Sequence, residues 1–222
     1  MDTLKLSHGS GKMEGIPSLN TNTLSNPFCR QTNKNPNSIC YKCYSHYSLQ
    51  TFRMNAVDAF ERNSRLLSGK IIPEDNIPFI NVKYFRFQSH GELINTNHLL
   101  NLVNICIKNH HTTFTLWTKR KDLILEYGKY NTFPDNLILV YSSSKLDDKS
   151  KLPKHFNKVF TVFSKPYRYI NCHGACKDCL KCYTKNKTIY INEVVKKYAK
   201  HKEVKNGRFK KIFSFIGKKS NK

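Results

Sequence analysis

The chain has 222 residues, 39% of them apolar, with 14 Phe and 12 Tyr. That is enough for one substantial core and too apolar for a disordered chain. No run nears the roughly 18 uninterrupted apolar residues of a membrane span, and the opening MDTLKLSHGSGK lacks the apolar stretch of a secretory signal. A cytoplasmic location is therefore expected. The charge is lopsided, with 38 Lys+Arg against 15 Asp+Glu and a formal net charge of +23. Such an excess favours polyanions, DNA or RNA first, although an AT-rich genome would raise Lys, Asn and Ile together and leave the same imprint.

A Gly/Ser/Asn-rich opening leads to Cys29, Cys40 and Cys43. Leu49, Phe52, Ala56, Ala59, Phe60 and Leu67 then share one helical face, with Gly69 as a stop. Pro73 and Pro78 bracket a loop, and FINVKYFRF (79–87) reads as a buried, aromatic-rich strand. NTNHLLNLVNICIKN has an Asn/Thr cap and apolar Leu99, Leu102, Val103, Cys106 and Ile107, which predicts a helix. TTFTLW (112–117) is a strand and KRKDLILEYGK a short helix. NLILVY (136–141) and NKVFTVF (157–163) are further strands, and a fifth is allowed near the N-terminus. INEVVKKYAKH reads as a surface helix, and residues 204–222 carry seven Lys/Arg and no acid.

Strands alternating with helices predict right-handed crossovers and a parallel sheet. The expected α/β fold is a partial (βα) barrel or open parallel sheet of four to six strands, with cysteine-rich metal-binding segments near both ends. Residues 1–185 would form this single domain, and 186–222 a basic helix and tail.

In a reducing compartment clustered thiols are metal ligands or catalytic groups more often than disulfides. The segment NCHGACKDCLKC supplies Cys172, Cys176, Cys179 and Cys182, spaced C-x3-C-x2-C-x2-C. Gly174 helps so short a loop to turn. Four thiolates satisfy a tetrahedral zinc or the four irons of a [4Fe–4S] cluster, and the plainer alternative is a zinc knuckle that staples the C-terminal segment. Cys29, Cys40 and Cys43 are three thiols with no fourth nearby, unless His46 or a C-terminal cysteine joins them. On a [4Fe–4S] cluster three ligands leave one iron open, and on zinc they leave a place for water. The alternative is that Cys40 and Cys43 only complete a mixed site. Cys106 lies in an apolar helix face and reads as a packing residue, and His173 as a neighbour of ligands.

A CxxCY before a helix, a strand running into FRFQSHGEL, and then TLWTKR are similar to the phage "gene product 88" family, from about Gly11 to Cys182. That family resembles small relatives of radical S-adenosylmethionine (SAM) enzymes with a partial triose-phosphate-isomerase-type barrel. The resemblance implies that Cys29, Cys40 and Cys43 hold a [4Fe–4S] cluster whose open iron takes SAM. Gly91 and Glu92 would match the G-G-E segment that receives the SAM amino group, with His90 in the place of its first glycine. Lys119 or Arg120 would meet the carboxylate, and Ser142 or Ser143 the ribose. Glu92, His90 and Lys119 are the catalytic candidates. Glu92 also stands out by itself as an acid at a strand end, although a helix N-terminus favours a carboxylate too.

The usual spacing in those enzymes is C-x3-C-x2-C, whereas ten residues separate Cys29 from Cys40. Cys172, Cys176 and Cys179 have the usual spacing at the other end of the chain, and Cys182 is placed to fill the open iron. That group is assigned to an auxiliary cluster or zinc. The expected function is an iron–sulfur enzyme of radical SAM type acting on a nucleotide or nucleic acid, with one or two [4Fe–4S] clusters and SAM. The alternatives are a zinc-stapled nucleic-acid-binding protein that uses its basic surface and the tail GRFKKIFSFIGKKSNK, and a cluster-carrying redox accessory protein.

Overall fold

The computed structural model describes residues 3–166 and 168–195. Seven strands form one sheet in chain order: β1 (Leu6–Ser7), β2 (Ser18–Leu19), β3 (Tyr84–Phe87), β4 (Thr113–Thr118), β5 (Leu137–Leu146), β6 (Lys158–Phe163) and β7 (Tyr190–Val194). β1 pairs antiparallel with β2, and every later pairing is parallel. The helices are α1 (Pro27–Asn33), α2 (Tyr44–Gln50), α3 (Val57–Gly69), α4 (Thr96–Lys108), α5 (Lys121–Tyr127) and the single turn α6 (Cys176–Cys179). Among the described residues no helix is long and apolar enough to cross a membrane.

Successive strand residues face opposite sides, and the burial divides accordingly. Phe85, Phe87, Phe114, Leu116, Leu137 and Leu139 meet Leu67 of α3, Leu99 and Leu102 of α4 and Ile124 of α5 in one core. Phe87 and Phe114 stack with centroids 5.0 Å apart. On the second face Ile138, Val140, Phe160 and Ile191 pack against Ile16, Cys182 and Tyr183, so the C-terminal cysteine segment covers this side. Both faces are covered, as a parallel sheet requires.

Several expectations are corrected here. Seven strands exceed the four to six expected, because β1 and β2 are two-residue strands with no periodicity to read. The strand expected over 79–87 is only Tyr84–Phe87. Upstream, the Ile80 amide donates to Asn109 and its carbonyl accepts from Thr112, so those groups serve the end of α4 and not a ladder. The helix expected from Leu49 to Leu67 is two helices. Thr51 leaves helical geometry at φ −128°, ψ −98°, and Phe52 is 61% exposed instead of sharing the apolar face. The segment expected as a surface helix at Ile191 is β7, which pairs with β6 through Phe160↔Ile191 and carries the sheet past residue 185. The remainder of that helix and the basic tail lie outside the described residues. α4, α5 and the stop at Gly69 form as expected.

Candidate metal and ligand cleft

A cleft of about 1140 Å³ opens at the C-terminal ends of the parallel strands, where ligands of parallel α/β folds bind. Its wall on one side is the long connection from β2 to β3. There Asn26 caps α1 by accepting from the Cys29 amide, with Pro27 opening the helix, and this fixes Cys29 in the first turn. The same Asn26 amide donates to the Glu92 carbonyl at 2.9 Å, tying the cysteine helix to the segment after β3. Ser38 accepts from the Cys40 amide, and Asn33 donates to the Cys40 carbonyl. Cys43 stands at the start of α2, where its sulfur accepts from the backbone N–H groups of Ser45 and His46.

Cys29, Cys40 and Cys43 all line this cleft. Burial pushes the Cys29 thiol up, and Glu92, Cys43 and Cys40 push it further, while Lys119 opposes them. Burial also raises Cys43, against the helix N–H groups. Half-buried thiols that repel each other's negative charge are relieved by a bound cation, and a donor set of three sulfurs suits a thiophilic metal or an iron–sulfur cluster. The donor chemistry therefore fits the implied group. Among the described residues, no three His, Cys, Asp or Glu side chains are drawn to a common ligating point.

Gly91 and Glu92 line the opposite wall. Gly91 has φ +104°, and a Cβ there would fall 2.0 Å from Thr21 Oγ1, so only glycine fits. The Glu92 carboxylate is held by its own fold: Oε1 accepts from the Leu93 amide and the Thr118 hydroxyl, and Oε2 from the Lys119 amide. Burial raises its pKa, and the Thr118 hydrogen bond and the Lys119 charge counteract this. Lys119 extends from the end of β4 across to β5, where its ammonium donates to Ser142 Oγ at 2.7 Å.

The cleft thus brings together Cys29, Cys40, Cys43, Gly91, Glu92, Lys119 and Ser142. Three other expected site residues lie outside its lining. His90 is 6% exposed, packed beside Phe60, and its ring meets Ser45 and Arg53. Burial and the two nearby arginines, Arg53 and Arg86, push its pKa down to about 4, so it is a neutral support for the start of α2. Arg120 is spent on Asp122 and on the carbonyls of Leu93 and Ile94. Ser143, one residue past Ser142 and so on the other side of β5, donates to Asp148.

The C-terminal cysteines form a second group. Gly174 turns the loop at φ +77°, as its position suggested, and Leu180 ends α6 in the left-handed region at φ +50°. Cys182 is 8% exposed, and its carbonyl accepts from Thr115 of β4. Burial pushes its thiol up to about 12; Arg86 opposes this, and Cys172, Cys176 and Cys179 add to it. The four sulfurs therefore sense one another, and their chemistry suits zinc or a cluster. Cys106 is a buried packing residue, and no disulfide joins any of the cysteines among the described residues.

Sequence reasoning missed Arg86 and Trp117, which line the cleft from the second face of β3 and β4. The signal was an arginine alternating with aromatics in YFRF. Gln88 was missed too. It sits in a left-handed turn at φ +61°, buried between Thr21 and His98.

The chain is thus an α/β domain whose mostly parallel sheet carries a thiol-lined cleft at its C-terminal strand ends. The model of the gene product 88 family matches residues 5–168, and the chain belongs to that family. The match ends before Cys172, short of the Cys182 limit expected. No curated protein and no solved structure matches the chain.

Proposed function

We propose that the chain is an iron–sulfur protein of the radical SAM type, built on a partial (βα) barrel and acting on a nucleotide or nucleic acid in the cytoplasm. The supporting observation is the convergence of Cys29, Cys40 and Cys43 with Gly91, Glu92, Lys119 and Ser142 in one cleft at the C-terminal strand ends. The three cysteines would hold a [4Fe–4S] cluster, which when bound supplies the electron for reductive cleavage of SAM. Glu92 Oε2 accepts one protein donor and retains a lone pair for the SAM amine, a charge-assisted bond about twice as strong as a neutral one. Lys119, steadied by Ser142, presents its charge to the carboxylate. The net charge of +23 supports a polyanionic substrate.

Cys172, Cys176, Cys179 and Cys182 would hold a second cluster or a zinc that staples the segment covering the sheet. A reading without catalysis, in which both groups hold zinc and the basic surface binds nucleic acid, rests on the same charge and on the tetrad lying outside the family match. Anaerobic purification with iron, sulfide and zinc analysis separates the two. Iron and sulfide should be present, and the paramagnetic signal of the reduced protein should change when SAM is added. Zinc alone, or a cluster indifferent to SAM, would overturn the radical SAM reading.

A further inference from the structure

On the second face of the sheet the cleft contains a cation that no carboxylate among the described residues pairs. Arg86 of β3 lines it, and its guanidinium lies over the Trp117 ring at 4.4 Å from the centroid. Among the described residues Arg86 makes no ion pair, and its Nε is buried without a hydrogen-bond partner. Its remaining contacts are to the Met13 sulfur at 3.8 Å and to the Tyr183 phenol, whose pKa its charge and hydrogen bond pull down against burial, and the Cys182 thiol feels the same charge. The Trp117 indole N–H is also buried and without a partner, and it is only a donor. The cleft carboxylate of Glu92 is already held by three protein donors, and Glu193 of β7 has a partner of its own.

Buried donors left unsatisfied are costly, and a buried charge without a partner more so. Two of them in one open cleft mark the place where a ligand completes the hydrogen bonding. A guanidinium stacked on an aromatic ring keeps its N–H edge free, and that edge matches the two oxygens of a carboxylate or phosphate.

We infer that Arg86 and Trp117 form a binding subsite for an oxyanion carried by the substrate, with the Arg86 fork taking two oxygens and the indole N–H a third contact. The subsite uses no cysteine as a ligand, and Arg86 is near enough to the Cys182 thiol to lower its pKa.

Trp117 is the chain's single tryptophan, so its fluorescence reports on this place alone. The full-length protein is titrated with sodium phosphate and separately with sodium acetate, against sodium chloride at matched ionic strength. The expected result is a saturable fluorescence change with at least one of the two, and the stronger names the group. Arg86→Gln should weaken half-saturation about tenfold or more, the value of a hydrogen bond to a charged group. Should that variant fail to fold, Arg86→Lys decides, because it keeps the charge and loses the fork: about tenfold weakening supports the subsite. A wild-type response no different from chloride overturns the inference, as does unchanged half-saturation in the folded variant.

Discussion

The two cysteine groups share a chemistry and differ in what they are attached to. Cys29, Cys40 and Cys43 hang on α1, a 3-10 turn (Ile39–Lys42) and the start of α2, and they border a cleft with Glu92 and Lys119. Cys182, Cys172 and Cys176 instead pack on Ile138, Val140 and Ile191, so three of the second group's four cysteines belong to a core and Cys179 alone is exposed. A ligand that leaves a cleft wall takes little packing with it. One that leaves a core takes the core's cover. The same residue type therefore serves a site in one place and the fold in the other.

The largest effect should come from setting the groups against each other. A closed four-thiolate site contributes on the order of 10 kcal/mol to folding. Cys182→Ser or Cys176→Ser should give insoluble or protease-sensitive protein, whereas Cys40→Ser or Cys43→Ser should leave a folded chain that has lost part of its metal. Solubility and metal per chain measure this, and equal loss of solubility in both sets would erase the distinction.

A second test lies on the helix-covered side, away from both groups. His98 is fully buried, and burial pushes its pKa down to about 3. Its Nδ1 accepts from the Ile94 amide and its Nε2 meets the Gln88 side chain, so the native imidazole is neutral. The unfolded chain binds a proton below about pH 6.5. Stability is thus fully present above that pH and is lost on acidification toward 3, at about 1.4 kcal/mol per unit. In acid titration of unfolding His90, held down to about 4, adds a slope of the same sign, so His98→Gln should reduce the wild-type acid slope by about 1.4 kcal/mol per unit without abolishing it. The difference in slope between wild type and His98→Gln should be the same whether or not metal is bound, and a metal-dependent difference would mean that the two faces are coupled.

The smallest expected effect concerns Glu92. Glu92→Gln keeps the shape but turns an N–H group toward one of the three donors that the carboxylate satisfies. The cost should be about 1–3 kcal/mol, read from chemical denaturation. Metal content should be unchanged and any response to SAM weakened. Loss of metal on this substitution would make Glu92 part of the cysteine site itself.

Local pattern was enough for part of this protein. α4 is written in its Asn95 cap and apolar face, and β4 to β6 in β-branched and aromatic runs. Cysteine spacing showed two thiol groups, and the FRFQSHGEL segment placed Gly91 and Glu92 beside a strand end. The rest depended on contacts distant in the chain. β1 and β2 have two residues each and exist only because partners pair with them. β7 was mistaken for a helix because the KKYAK that follows it suggested a polar helical face, while its alternation matters only once β6 lies beside it. Among the expected site residues, Ser142 faces the cleft and Ser143 faces away because side chains alternate along β5, and His90 turns inward to the helices. The unsatisfied Nε of Arg86 emerged in the same way, since a missing partner can be recognised only when every neighbour has been brought into place.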